Sequence, residues 1–341
     1  IFLDLKEFLE WRRGLRGEPR AYAGILFYRS KLLFNDLRHV DALIEALERR
    51  GLGAVPVFTN GFPDPSVGAP GPEEAIEKFF LLDGEPVVSA IAWCLHFRVC
   101  PQKPEILRKL GVPVINAIEV YGQSPEGWAR SAQGLTTVEV SMSVALPEFD
   151  GAINPTAFAA EVVKDVEVLG CSYPSAFKEH VPIEERVERV AGELARWAEV
   201  RGKPNFEKRV AIILHSSNIG NQEGNVGTAL GLDAAQSVIE ILRGLRERGY
   251  DISDAPDGGE ALIRAFLEGR QLWPGGWMAS PSYAVRVSGE EYLKWFNGLP
   301  EGVKAAMEEA WGPPPSEGVG IPGLTFGKAF VTIQPPRAPH A

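Results

Sequence analysis

A chain of 341 residues, 45% apolar and 23% charged, has the size and composition of two globular domains. Its net charge of −10 argues against nucleic acid or an anionic membrane as partner. No apolar run approaches a membrane span, no secretory leader is legible, and Cys94, Cys100 and Cys171 make no disulfide framework, so a cytoplasmic setting is expected.

Ile1 already lies inside an apolar helical pattern (Phe2, Leu5, Phe8, Leu9), so the chain reads as a piece of something longer. Residues 21–28 (AYAGILFY) predict a strand. Residues 37–50 predict a helix, with Val40, Leu43, Ile44 and Leu47 on one face and Gly51 as its stop. A strand is expected at 53–59, a turn-rich loop at 60–72, a helix at 73–82 and a strand at 87–94. A helix at 105–110, a strand at 112–117 and a helix at 126–133 follow, and the alternating apolar run 138–146 suggests another strand. Residues 155–184 break the pattern, and 183–201 then read as a long amphipathic helix with Val187, Val190, Leu194 and Trp197.

The run Val210 to Leu214 (VAIIL) has the signature of a strand buried on both faces, central in its sheet. Asp233 with Gln236 fits a capping box opening a helix over 234–249. Between them lie His215 and Gly220, Gly224, Gly227 and Gly231, a glycine-dense loop running from a strand end to a helix N-terminus. Such loops let backbone N–H groups approach an anionic ligand. The loop has neither lysine nor G-x-G-x-x-G spacing, so it is no named nucleotide motif. A strand near Tyr250, helices at 258–267, 290–296 and 302–311, and a strand at 329–333 complete the pass. The fold class is α/β: two Rossmann-like or flavodoxin-like units with largely parallel sheets. The expected division is a first domain at 1–152, a linker at 153–185 and a second domain at 186–341.

Several residues are candidates for chemistry. Glu148 and Asp150 in P-E-F-D-G follow an apolar run expected to be a strand, and a carboxylate pair there can take protons or hold a cation. A solvated turn with a capping Asp is the competing reading. His215, at a strand end, can be a base or a ligand, or a hydrogen-bonded structural residue. Cys94, His96 and Cys100 form C-x-H-x-x-x-C without a second pair, and no structural zinc is expected there. Trp128, Trp197 and Trp311 can stack on a flat ligand, but tryptophans on helices more often pack in cores.

Taken together, these stretches resemble the CobN/magnesium chelatase family, the large subunits of cobaltochelatase and magnesium chelatase. The resemblance is carried by G-I-L-F-Y-R-S (24–30), D-A-L-I-E-A-L-E-R-R-G (41–51), V-P-V-F (55–58) and W-A-R-S-A-Q-G-L (128–135). It continues through V-A-L-P-E-F-D-G (144–151), R-W-A-E-V (196–200), K-R-V-A-I-I-L-H (208–215), G-N-V-G-T-A-L-G-L-D (224–233) and G-L-T-F-G-K-A-F-V-T-I-Q-P-P-R (323–337). Where the family has an N-Y-P-P-like run, this chain has Ser216-Ser217-Asn218-Ile219. The resemblance implies a tetrapyrrole-binding large subunit of an ATP-dependent chelatase, a ligase forming nitrogen–metal bonds. Separate AAA+ and MIDAS-bearing subunits would hydrolyse the ATP. The wording is nearer the cobalt type, which implies Co2+ insertion into hydrogenobyrinic acid a,c-diamide in cobalamin biosynthesis. Mg2+ insertion into protoporphyrin IX, or a non-catalytic tetrapyrrole-binding or docking module, is the alternative. On this resemblance Glu148, Asp150 and His215 are the catalytic candidates, with Glu148 and His215 as transient metal carriers. Gly224, Asn225, Gly227, Gly231 and Asp233 are the substrate-binding candidates. The family continues well beyond this region, so the piece alone is expected to be inactive.

Overall fold

The computed structural model describes residues 1–101, 105–168, 171–215, 227, 231–269 and 283–334, the side chains of 164–177 excepted. The chain divides into two compact units, Ile1–Gly202 and Lys203–Ala341. This boundary follows the long helix, whereas the sequence pattern suggested a linker over 153–185. That stretch is folded into the sheet of the first unit.

The first unit opens with α1 (Leu5–Arg16), β1 (Ala21–Tyr28), the one-turn α2 (Arg29–Leu33), α3 (Arg38–Arg49) and β2 (Leu52–Thr59). After α4 (Pro72–Phe79) comes a small antiparallel ladder of β3 (Leu81–Leu82) and β4 (Glu85–Pro86). Then follow β5 (Val88–Cys94), α5 (Glu105–Leu110), β6 (Val114–Val120) and α6 (Pro125–Arg130). A crossover of α7 (Thr137–Val140), a π-helical turn at Ser141–Ala145 and α8 (Leu146–Glu148) leads to β7 (Ala152–Val168), β8 (Cys171–Pro182) and α9 (Glu184–Gly202).

The six strands are ordered β2-β1-β5-β6-β7-β8. All neighbours are parallel except the last pair, an antiparallel hairpin. Alternation along β1 sorts the two faces. Ala23, Ile25 and Phe27 pack with Leu43 and Leu47 of α3 and Val190 and Leu194 of α9. Tyr22 and Leu26 pack on the other side with Leu5 of α1, Ile76 of α4 and Leu110 of α5. Gly24 is required there, because a Cβ would lie 2.8 Å from the Phe80 ring. The chain leaves β1 toward β2 on one side and returns to β5 on the other. That reversal is the switch point of a doubly wound sheet, and it opens a crevice at the C-terminal ends of β1 and β5.

Residues 138–146 are not the expected strand. Val138, Val140, Met142, Val144 and Leu146 alternate like one, but a Thr136–Glu139 capping box starts a helix at Thr137. The crossover also has to carry the chain from the end of β6 back to the start of β7, because Val114 pairs with Ala152.

The second unit contains β9 (Val210–Leu214), α10 (Ala234–Glu247), α11 (Gly259–Glu268), β10 (Val285–Val287), α12 (Gly289–Asn297), α13 (Glu301–Trp311), β11 (Val319–Ile321), β12 (Leu324–Phe326) and β13 (Ala329–Ile333). Among the described residues β9 pairs only with β13, in parallel, while β12 and β13 pair antiparallel, as do β10 and β11. The α/β class holds, and the expectation of a largely parallel sheet is met in the first unit, whereas the described strands of the second pair mainly antiparallel. β9 is not a central strand buried on both faces. Among the described residues it lies at the edge of its three-stranded sheet, and Ile213 is 65% exposed. A short β-branched run looks the same in either position. No strand forms near Tyr250. No helix among the described residues is long and apolar enough to cross a membrane.

Candidate functional site

Polar side chains are buried together where the C-terminal strand ends of the first unit meet. Tyr28 ends β1, and its hydroxyl donates to the carbonyl of His96 (2.9 Å), just past β5. The phenol thus ties the two sides of the switch-point crevice together. His96 is held in turn by Ser143 Oγ at Nδ1 (2.9 Å) and by the Tyr121 hydroxyl at Nε2 (3.1 Å). Burial is the main influence on this imidazole and lowers its proton affinity, which favours the neutral ring.

Beside it lies a charged cluster drawn from four elements. The one-turn helix α2 directly follows β1 and turns Lys31 inward. Its ammonium donates to Glu119 Oε2 of β6 (2.6 Å) and Asp36 Oδ2 (3.0 Å), and lies 2.9 Å from His180 Nδ1 of β8. His39, on the buried face of α3, meets the other Glu119 oxygen at 2.7 Å through Nε2. The Tyr121 hydroxyl also reaches Glu119, at 3.2 Å. Asp36 accepts from the His180 backbone N–H (2.7 Å) and faces its ring Nδ1 at 2.8 Å.

Both carboxylates sit well below their ordinary range. Burial alone would raise Asp36, but the His180 hydrogen bonds and the Lys31 charge outweigh it. For Glu119 burial is again the largest influence, overcome by the His39 hydrogen bond and the Lys31 charge. Both acids are therefore ionised near neutrality. Among the described residues no three His, Cys, Asp or Glu side chains are arranged to hold a metal ion.

The same edge carries exposed apolar side chains. Leu33 and Phe34 follow Lys31, Phe97 follows His96, and Tyr121 is partly exposed. Phe97 adopts a left-handed backbone (φ 65°), held by its N–H donating to Met142 O at 2.7 Å. Left-handed geometry at a bulky residue costs about 1–3 kcal/mol and concentrates at functional sites.

The residues picked out from the sequence lie elsewhere. Glu148 ends α8 and is exposed, while Asp150 is buried. The β6–β7 register puts both near the start of β6, not at a strand C-terminal edge as expected. That is roughly 16 Å along the strand from Glu119 at ~3.3 Å per residue. Asp150 Oδ2 accepts from the backbone N–H groups of Val99 (2.6 Å) and Cys100 (3.1 Å), so it anchors the loop beyond His96. Cys94 and Cys100 are buried in the cores on opposite faces of the sheet, and the His96 ring turns to Ser143 and Tyr121. These three do not converge. Trp197 packs against the α3–α9 core, and Trp128 lies under the Arg186 guanidinium (5.3 Å).

In the second unit His215 is exposed at the end of β9, its Nδ1 2.9 Å from Gln334 Oε1. Gly224 and Asn225 lie outside the described residues, as does 216–219. Gly227 (φ 73°) and Gly231 (φ 72°) adopt left-handed backbones, and Gly227 packs between Leu214 and Ala234. Asp233 caps α10 by accepting from Gln236 N (2.9 Å), half of the expected box. The Gln236 side chain goes instead to Glu240 and the Gly259 N–H.

Sequence reasoning missed Lys31, Asp36, His39, Glu119 and His180. The clearest available signal was Glu119, an acid inside the apolar run VINAIEV, since a carboxylate buried in a central strand needs paired partners.

The sequence matches the family model CobN/Magnesium Chelatase from residue 1 to residue 341. The chain belongs to the CobN/magnesium chelatase family. It is 32% identical to the aerobic cobaltochelatase subunit CobN of Sinorhizobium sp over 353 residues, covering 96% of this chain and 26% of that protein. It is 30% identical over 359 residues to the chloroplastic magnesium-chelatase subunit ChlH of Oryza sativa subsp. indica, covering 98% and 24% respectively. A solved structure, the catalytic subunit of cobaltochelatase from Mycobacterium tuberculosis, matches with a TM-score of 0.69 and 26% identity, over 93% of this chain and 26% of that one. The chain thus spans about a quarter of the length of these family members.

Proposed function

We propose that this chain is the part of a chelatase large subunit that receives a tetrapyrrole and takes part in inserting a divalent metal into it. The metal is Co2+ and the macrocycle a corrin precursor, hydrogenobyrinic acid a,c-diamide. ATP is hydrolysed by AAA+ and MIDAS-bearing partners rather than by this chain. Membership of the family is the ground for this reading. The observation that supports it most directly is the charged, histidine-bearing cluster beneath an apolar rim at the switch point. The apolar ring face of such a macrocycle suits a rim of Leu33, Phe34, Phe97 and Tyr121. Metal insertion needs a group to accept the inner N–H protons, one from a corrin and two from a porphyrin, and a dry place to do so. The buried cluster supplies polar groups of that kind.

Glu148, which is exposed, remains the candidate for passing the metal inward, with His215 as a second carrier. Asp150 then acts by holding the 96–100 loop. The glycine loop through Gly224, Asn225, Gly227, Gly231 and Asp233 is assigned to the macrocycle's acidic or amide periphery, where free N–H groups favour negative charge.

The test is a titration of the chain with a corrin precursor and, separately, with protoporphyrin, followed by absorbance. The cobalt reading expects the corrin precursor to bind at least about tenfold tighter, ~1.4 kcal/mol. Tighter binding of protoporphyrin would move the assignment to magnesium chelatase. Binding of neither would leave a docking module for the ATPase subunits.

A further inference from the structure

We infer that Arg29 and Arg98 bind the peripheral carboxylates of the macrocycle and so hold it across the apolar rim of the switch point. This inference rests on the chelatase reading and names the substrate groups that the crevice recognises. Both macrocycles considered above carry propionate side chains, which are anionic near neutrality.

The sheet places the two arginines. Phe27 of β1 pairs with Cys94 of β5, so Arg29 and Arg98 leave neighbouring strand ends just beyond that pair. Adjacent strands lie about 5 Å apart. The Tyr28 hydroxyl clamps the two ends, accepting from the His96 N–H (3.1 Å) and donating to the His96 carbonyl (2.9 Å). Beyond the clamp the loop is fastened again. Phe97 N–H donates to Met142 O (2.7 Å), and Val99 and Cys100 N–H donate to Asp150 Oδ2 (2.6 and 3.1 Å). With Phe97 in its left-handed conformation, Phe97 and Arg98 are exposed while His96, Val99 and Cys100 are buried. A loop fixed in this way presents its guanidinium with little further ordering on binding.

Neither guanidinium is tied down by the protein. Arg29 is half-buried at the first position of α2, and among the described residues it makes no ion pair and no side-chain hydrogen bond. Arg98 has Nε 3.7 Å from Asp150 Oδ1, beyond hydrogen-bond reach, and that buried oxygen has no hydrogen-bond partner among the described residues. The Arg98 side chain is 45% exposed. Asp150 thus attracts the guanidinium without bonding it, and its N–H donors stay available to a ligand. Other cations nearby are already paired. Lys31 is buried between Glu119 and Asp36, Arg38 donates to Glu179, and Lys178 donates to Glu161. The planar fork of arginine matches a carboxylate with two parallel hydrogen bonds, and charge makes these bonds strong.

Each arginine also stands beside apolar surface. Arg29 and Leu33 are the first and last residues of the one-turn α2 and share a face of it, and Leu33 is 64% exposed. On the other side of the crevice Phe97, 45% exposed, directly precedes Arg98. A macrocycle that is apolar on its faces and anionic at its edge finds both features together there. The chain as a whole carries a net charge of −10, so an anionic ligand is favoured only where local cations offset that field.

The experiment uses the full-length protein. It compares protoporphyrin and hydrogenobyrinic acid a,c-diamide, each with its methyl-esterified form, in the same mild detergent, with binding followed by absorbance. Esterification removes the carboxylate charges and leaves the ring unchanged. For the macrocycle it binds more tightly, the wild type should favour the free acid over the ester at least about tenfold, ~1.4 kcal/mol, and added salt should shrink that preference. Arg29→Gln and Arg98→Gln should each weaken the acid at least about fivefold and leave the ester within about twofold of wild type. Arg29→Lys and Arg98→Lys, which keep the charge but lose the fork, should fall between. If Arg98 serves only as counter-ion to Asp150, its variants will lower the melting midpoint and keep the acid-over-ester preference, which would overturn the inference. Equal wild-type affinity for acid and ester would overturn it without any variant, and the chelatase reading would stand. A wild type that binds neither macrocycle, as acid or as ester, would instead overturn the chelatase reading itself.

Discussion

Replacing Glu119 with glutamine tests whether the cluster is an integrated ion network. The carboxylate is wholly buried and takes Lys31 at 2.6 Å, His39 at 2.7 Å and the Tyr121 hydroxyl at 3.2 Å. Glutamine keeps the shape and one acceptor. Its amide group turns a donor toward another donor, and the buried Lys31 ammonium keeps Asp36 as its sole carboxylate partner. Removing one partner of a buried pair costs about 3–5 kcal/mol. For a unit of this size that is a fall of roughly 6–20 °C in the melting midpoint, at about 2–4 °C per kcal/mol. Thermal melts followed by circular dichroism measure it. The pH dependence has a definite sign. Glu119 titrates below its ordinary 4.5 in the folded state. Its stabilisation is therefore present above that value and lost as the pH falls toward the depressed one. The gap between wild type and Glu119→Gln should narrow on acidification below 4.5. A variant melting within about 2 °C of wild type near neutrality would refute the network, since that is worth about 1 kcal/mol or less. A gap that widens in acid would refute it too.

Gly227→Val should destabilise the second unit by about 1–3 kcal/mol, because φ is 73° there and the new Cβ would lie 3.0 Å from that of Ala234; a melt unchanged from wild type would show that the loop relaxes freely. Asp150→Ala should cost at least about 2 kcal/mol through the lost charge-assisted bonds to Val99 and Cys100, whereas Asp150→Asn, which keeps an acceptor, should recover most of it in urea denaturation. Glu148→Gln in the full-length protein should slow metal insertion at least about tenfold, ~1.4 kcal/mol in the barrier, with melting temperature and macrocycle affinity unchanged; insertion at the normal rate would reduce Glu148 to a helix-end residue. Asp233→Ala should cost about 1 kcal/mol for the lost cap on α10, and equal unfolding midpoints would show that its carboxylate is not a working cap.

Local pattern was enough for most elements. The apolar β-branched runs of β1, β2, β5 and β6, and the helical spacing of Val40, Leu43 and Leu47 or of Val187, Val190 and Leu194, encode strand and helix directly. Those signals need only the residues within one element. Ordered blocks along the chain were likewise enough to mark the family. Tertiary structure decided the rest. Whether 138–146 ran as strand or helix depended on where β7 had to begin. Whether β9 sat at an edge depended on which strands joined its sheet. The β7–β8 hairpin became sheet rather than linker because β6 offered it a parallel edge. The cluster itself joins Lys31, Asp36 and His39 to Glu119 and His180, some 80 to 149 residues further along the chain. No window of sequence contains both sides of such a contact. What brings them together is the reversal of strand order between β1 and β5, with the hairpin returning His180 to the same edge. Only that folded arrangement buries Lys31, Asp36, His39, Glu119 and His180 against one another.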